Sequence, residues 1–315
     1  MMSIDAREMV QQSNFDHPSD EIDLREIFSA IWAGKWIVIT ITSIFSIASV
    51  VYVLSLPNRY KSTVVLAPVE TSGGGLGKLA SQFGGLASLT GVTLQGGGSS
   101  KKAEALEILQ SWAFIEEFIQ EQNIAPEVFA VKGWRSKTNE LIYDTSIYDP
   151  QSQTWTRETR EGEQAEPSSW QLFQKFNEYV SVDEDKETGF TALNIEYYSP
   201  EIAKAWVDAL VYKINIKLQT RDSKEAEKNI AFLKQQIEQT QLASMQSVFY
   251  GLIEEQTKTL MLAKGSAEYV FKTVSESRIP ERKSNPKRAF ICVAFSLLGM
   301  LLSVCYVIAR LRFRS

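Results

Sequence analysis

Two runs of this chain carry no charge over the thickness of a bilayer: WIVITITSIFSIASVVYVLSL (Trp36 to Leu56) and FICVAFSLLGMLLSVCYVIA (Phe290 to Ala309). At ~1.5 Å of helical rise per residue, each covers a ~30 Å hydrocarbon core. Both are predicted to span a membrane. The alternative, two buried helices of a soluble core, sits poorly with uncharged runs of this length. The first run follows 35 mostly polar residues and has no small-residue cleavage site after it, so it reads as a retained anchor rather than a leader. Two spans place both termini on one side and the 233 residues from Pro57 to Ala289 on the other.

Charge does not settle which side. Within about twenty residues of the spans, the terminal side carries Arg25, Lys35, Arg310, Arg312 and Arg314. The loop side carries Arg59, Lys61, Lys272, Arg278, Arg282, Lys283, Lys287 and Arg288. Taken literally, the excess puts the loop in the cytoplasm, but long loops translocate largely regardless of charge. Cys292 and Cys305 both lie in the second span, and a thiol-free loop is compatible with an oxidising compartment. The net charge of -5, with no sustained basic stripe, excludes nucleic acid as a partner.

The expected organisation is α+β: two transmembrane helices flanking an α/β base domain with a long extended helical hairpin. Residues 1–35 form a tail in which DLREIFSAIW puts Asp23 and Glu26 at capping-box spacing and Leu24, Ile27, Phe28 and Ile31 on one helical face. The first span is 36–56, the loop domain 57–289, the second span 290–309 and a short tail 310–315. Within the loop, RYKSTVVLAPV is β-branched and reads as a strand. Ten of the seventeen glycines fall between Gly73 and Gly98, a flexible segment with one short helix, LGKLASQF, inside it.

Lys102 to Asn123 is predicted as one helix from Leu106, Leu109, Ala113 and Phe118, and a further helix is expected after Pro167. Residues 126–166 carry no legible pattern. YVSVDEDKETGFTALNIEYYS reads as two strands about a turn at Lys186 to Gly189. From Pro200 the pattern is helical to Lys264, with Ala226, Ile230, Leu233 and Ile237 stepping by four, three and four as a seam for another helix. An unbroken rod over 201–264 would reach ~95 Å, yet Ala289 must return to the membrane. A hairpin over 201–266 with its turn near QLAS resolves this, leaving a base of 57–200 and 267–289 in which EYVFKTVSES rejoins the first strand. The length of the projection argues that it contacts other copies of the chain.

Chemical signals are weak. SGGGLGK around Lys78 has Ser72 where a phosphate-cradling loop needs its first glycine and Leu79 where it needs Ser or Thr. Asp183 and Asp185 mimic the Asp-x-Asp of sugar-nucleotide enzymes, but two acids at a hairpin mouth fall short of a ligand set. The single histidine, His17, lies in the polar tail, and the loop has no cysteine, so no zinc site or histidine-based nucleophile assembles there. No catalytic residue, cofactor or metal is expected. Gly299 and Ser303 make a small-xxx-small pair in the second span, and Thr42 and Ser46 another in the first.

IDLREIFSAIWAGKWIVI, GGLASLTGV with ALEILQSWAFIEEFI, SPEIAKAWVDALV, and LIEEQTKTLMLAKGSAEYVF through IPERKSNPKRAFI together resemble the Wzz chain-length determinant family, the polysaccharide co-polymerases. The last stretch is the most specific, since the family places prolines three residues apart before its second span. This chain keeps Pro280 and Pro286, the latter followed by Lys287, with Lys283 where a middle proline is common, leaving two φ-fixed joints.

The resemblance implies an inner-membrane protein with a periplasmic loop, a ring-like homo-oligomer such as an octamer, and no catalytic residues. It implies control of the length of a lipid-linked glycan, most often O antigen, built by a Wzy-type polymerase. Two rival classes remain: a membrane-anchored glycan-modifying enzyme using Asp183 and Asp185, and a regulator of capsule or exopolysaccharide export. Shortening the Gly73 to Gly98 segment should alter polymer length on a gel more than it lowers the thermal midpoint.

Overall fold

The computed structural model describes residues 32, 34–69, 97–159, 162 and 164–312, so the N-terminal tail with His17 and the segment around Lys78 lie outside the described residues. The fold is α+β, divided into two units: Met1–Ser55 with Lys287–Ser315, and Leu56–Pro286.

The first unit contains α1 (Lys35–Ser55) and its partner helix, residues Arg288–Arg312, both apolar and long enough to cross a membrane. Only 11% and 17% of their apolar stretches are buried, so their hydrophobic faces point outward, where a soluble core helix would hide them. The two helices pack on small residues. A Cβ added to Gly299 would sit 2.7 Å from Phe45 Cβ and 2.9 Å from its Cγ, so glycine is what admits this ring. The hydroxyls of Ser46 and Ser296 meet at 2.9 Å, and Ser49 and Ser303 are buried with their hydroxyls returned to the carbonyls of Ser46 and Met300.

The second unit opens with β1 (Tyr60–Pro68), followed by α2 (Gly97–Gln110), α3 (Trp112–Gln122) and α4 (Ala125–Ala130). Two small hairpins follow, β2 (Val131–Arg135) with β3 (Glu140–Tyr143) and β4 (Tyr148–Asp149) with β5 (Thr154–Trp155). Next come α5 (Ser169–Asn177), β6 (Val180–Glu184), β7 (Thr191–Tyr197), α6 (Pro200–Gln239), α7 (Ala243–Gly265) and β8 (Phe271–Ser275). The helix of Arg288–Arg312 is therefore α8.

The main sheet is antiparallel with order β6-β7-β1-β8, so the first strand is central and is flanked by two that come more than a hundred residues later. Strand alternation sends Ser62, Val64 and Leu66 of β1 and Leu193, Ile195 and Tyr197 of β7 to one face. The first half of α6 lies across β1 and β7, and its Ala203, Trp206, Val207, Leu210 and Ile214 complete that core. On β7, Asn194 accepts from Thr63 Oγ1 at 2.7 Å and donates to Asp183 Oδ2 at 2.8 Å.

Several sequence expectations are met and two are refined. The β6/β7 turn, the pairing of β8 with β1 and the helix after Pro167 all form, the last with Ser168 and Gln171 closing a capping box. The single helix expected over 102–123 is two: Ser111 accepts from Phe114 N and starts α3 afresh. The illegible 126–166 region holds the two small hairpins, whose strands are too short to show periodicity.

With Cys292 and Cys305 replaced by alanine, Ser46→Cys with Ser296→Cys should cross-link readily in membranes. Adding Gly299→Val should slow that cross-linking, read as the disulfide-linked fraction on a gel.

Candidate functional site: a helical hairpin and the polar clasp at its root

Helix α6 begins with Ser199 as N-cap, Pro200 in the first turn and Glu201 near the positive helix end. Its 40 residues span ~60 Å, and nothing beyond Ala226 is buried. The helix therefore leaves the core midway. After a break at Thr240 to Leu242, where Gln246 Nε2 donates to the Thr240 carbonyl at 2.8 Å, α7 returns alongside it.

The predicted seam of Ala226, Ile230, Leu233 and Ile237 is buried at its root and half-buried beyond. Helix α7 answers with Phe249, Ile253, Gln256, Leu260 and Ala263, again at four-three spacing, the first four half-buried and Ala263 buried. Asn229 Nδ2 donates to Gln256 Oε1 at 3.4 Å, and Lys264 pairs with Glu227 at 2.7 Å.

A second row on α7 has no such cover. Met245, Val248 and Leu262 are 43%, 55% and 48% exposed and share one helix face with half-buried Leu252; Glu255 and Thr259 fill the positions between Leu252 and Leu262. Phe232, Leu242, Tyr250 and Met261 are also exposed on the hairpin. Single exposed apolar residues are ordinary, whereas here several gather on one two-helix hairpin.

Where α6 leaves the core, polar side chains replace apolar ones. Buried Asn215 accepts from the backbone N–H of Val270 at 2.8 Å and of Phe271 at 3.0 Å, and its amide donates to the carbonyls of Val211 and Phe271. Buried Asp222 accepts from Lys101 Nζ at 2.9 Å, the Tyr269 hydroxyl at 2.8 Å and Arg221 Nη2 at 2.9 Å, while Arg221 also pairs with Glu104. Gln219 donates to the carbonyls of Ala263 and Ser266, covering the end of α7. On the core side of Gln219, Lys213 and Lys217 pair with Glu117 and Glu121 of α3.

Burial opposes ionisation of Asp222, but the hydrogen bonds from Lys101, Arg221 and Tyr269 outweigh it and hold its pKa below the ordinary 3.8. Burial likewise opposes charge on Lys101, yet its bonds to Tyr269 and Asp222 leave its pKa raised above 10.5. A depressed acid stabilises the fold above its ordinary value and stops doing so as pH falls through the folded one. A raised amine stabilises it below 10.5 and stops as pH rises past the folded value. The clasp is thus fully charged throughout the neutral range.

The other sequence candidates fall elsewhere. Pro280 and Pro286 are half-buried and Lys287 exposed in the stretch between β8 and α8, and Gly299 and Ser303 lie in α8. Asp183 is held by Asn194 and lies 4.0 Å from Lys61, whereas Asp185 caps its own turn through Thr188 and the backbone of Glu187. Both acids are committed to the hairpin. No group of three or more His, Cys, Asp or Glu able to hold a metal occurs among the described residues. Sequence reading missed the clasp, although Asn215 and Asp222 occupy positions of the apolar face running through Val207, Val211, Leu218 and Ala226.

The architecture is that of a two-helix membrane-anchored α+β protein with a helical projection. Residues 20–122 match the family model described as Wzz, chain length determinant protein. Among solved structures, it is similar to a full-length bacterial polysaccharide co-polymerase at 11% identity, over 93% of this chain and 98% of that one, with a TM-score of 0.38. It is also similar to a fragment of WzzB, a polysaccharide co-polymerase from Salmonella Typhimurium, at 11% identity, over 72% and 100%, with a TM-score of 0.31. No curated protein matches the chain.

Asn215→Leu should cost roughly 2–4 kcal/mol by leaving the buried Val270 and Phe271 N–H groups unsatisfied, measured by urea unfolding of the purified chain. Asp222→Asn should cost less, because Lys101 keeps its bond to Tyr269 and reaches solvent.

Proposed function

We propose that this chain is a non-enzymatic inner-membrane regulator that sets the modal length of a lipid-linked polysaccharide, in the first instance lipopolysaccharide O antigen, made by a Wzy-type polymerase. Residues 57–289 face the periplasm, and the subunits form a ring-like homo-oligomer. The observation that carries this reading is the exposed apolar side chains of α7, Met245, Val248 and Leu262, beside half-buried Leu252, on a hairpin that has left its own core. Exposed apolar side chains on an already paired hairpin suit another copy of the same hairpin, because repetition around a ring satisfies every copy at once.

The match of residues 20–122 to the chain length determinant family supports the substrate class. A ring presents many equivalent weak contacts to a long polymer, and such contacts add through effective concentration without a bond being made or broken. Within this reading Pro280 and Pro286 fix the backbone on the approach to the second span, and Gly299 and Ser303 set the closeness of the two anchors.

Val248→Glu with Leu262→Glu changes exposed side chains and should move monomer stability by no more than about 0.5 kcal/mol. The pair should nevertheless remove the higher bands of a cross-linking ladder and randomise polymer length on a gel. An unchanged ladder of both kinds would sink the scaffold reading. Membrane-impermeant labelling of a cysteine placed at Glu254 in intact spheroplasts tests the sidedness.

A further inference from the structure

Between β8 and α8 the chain changes character. Residues 272–288 hold Lys272, Arg278, Arg282, Lys283, Lys287 and Arg288 against Glu276 and Glu281, in a protein whose net charge is -5. Most cations near the root of the hairpin are spoken for: Lys101, Lys213, Lys217, Arg221 and Lys264 all sit in ion pairs. Arg278, Arg282 and Lys283 are exposed, and among the described residues none pairs with a carboxylate. Lys283 has only a 3.5 Å contact with Asn58.

The backbone beneath these three side chains is nonetheless fixed. Ser62 Oγ donates to the Arg278 carbonyl at 3.0 Å, Ser284 N to the Arg59 carbonyl at 2.9 Å, and Arg59 N to the Asn285 carbonyl at 3.0 Å. Asn285 Nδ2 is held by Glu196 at 2.6 and 2.8 Å, and the Arg59 guanidinium is stacked on Tyr179 and Tyr198. The result is a strap secured to the start of β1 at both ends, with free cations between. Its last cation precedes α8 by five residues in sequence.

We propose that Arg278, Arg282 and Lys283 form a binding strap for the phosphate of a membrane-borne lipid. The inference rests on the outward-facing reading above, because an outward-facing loop gains nothing in membrane insertion from a cationic flank, so the charge serves another purpose. A forked guanidinium matches phosphate oxygens in pairs, and anionic phosphate is the charge that a bilayer surface supplies. Two sources share that chemistry: the diphosphate of a lipid-linked glycan and the headgroup of an anionic phospholipid.

The full chain in phosphatidylcholine nanodiscs should bind farnesyl diphosphate, and Arg278→Gln with Arg282→Gln and Lys283→Gln should weaken that binding about 100-fold, each single change contributing about fivefold. In nanodiscs of mixed phosphatidylcholine and phosphatidylglycerol, the lipid retained by detergent-extracted protein is measured in parallel. Loss of farnesyl diphosphate binding in the triple variant assigns the strap to a lipid diphosphate. Loss of phosphatidylglycerol enrichment alone assigns it to a headgroup. Equal behaviour of wild type and triple variant in both arms overturns the proposal, with retained cross-linking and an unchanged thermal midpoint showing that the variant is folded. Nanodiscs expose both membrane faces, so an inward-facing loop would appear in the spheroplast labelling and leave these measurements unaffected.

Discussion

Chain closure is the constraint on which the second unit depends. A segment that starts just after one apolar helix and ends just before another must bring its ends together, and β1 pairing with β8, reinforced by the Arg59 to Asn285 bridge, does this. The entropy of closing a loop rises only with the logarithm of its length, so a long insertion costs little more than a short one. The tail of that insertion can therefore be spent on a projection. The cost falls on folding rate, because the central strand waits for partners made much later in the chain.

Helix α6 serves two masters. Its first half is a core helix, with Ala203, Val207, Leu210 and Ile214 fully shielded by the sheet. Beyond the clasp, its second half runs alongside α7. Asn215 and Asp222 stand at the change of role, and both find every partner they need, so polar residues in an apolar row bring geometric definition without unmet hydrogen bonds. They join α6 to β8 and α2 at the point where bending would otherwise be easiest.

Much of this was legible in the residues, for identifiable reasons. The apolar runs are long and uninterrupted, the β6 and β7 alternation is clean, and the four-three seam from Ala226 to Ile237 announced a helical partner. The length mismatch between a straight rod and a returning chain then located the turn at QLAS, where α6 ends at Gln239 and α7 starts at Ala243. What escaped was set by tertiary partners. Ser111 interrupts a helix-forming stretch because it caps α3, and the two-residue strands β4 and β5 are held largely by the Tyr148 and Trp155 rings, 5.0 Å apart. The clasp escaped because no local rule distinguishes a buried Asp222 from a solvated one until Lys101 and Tyr269 arrive from elsewhere.

The amide pair of Asn229 and Gln256 carries one more implication. Both sit half-buried in or beside an otherwise apolar zipper, and sliding α7 by a single turn against α6 would part the two amides and set each against apolar neighbours. The hairpin thus has one alignment that satisfies it and neighbouring alignments that do not, which fixes how far its tip stands from the sheet.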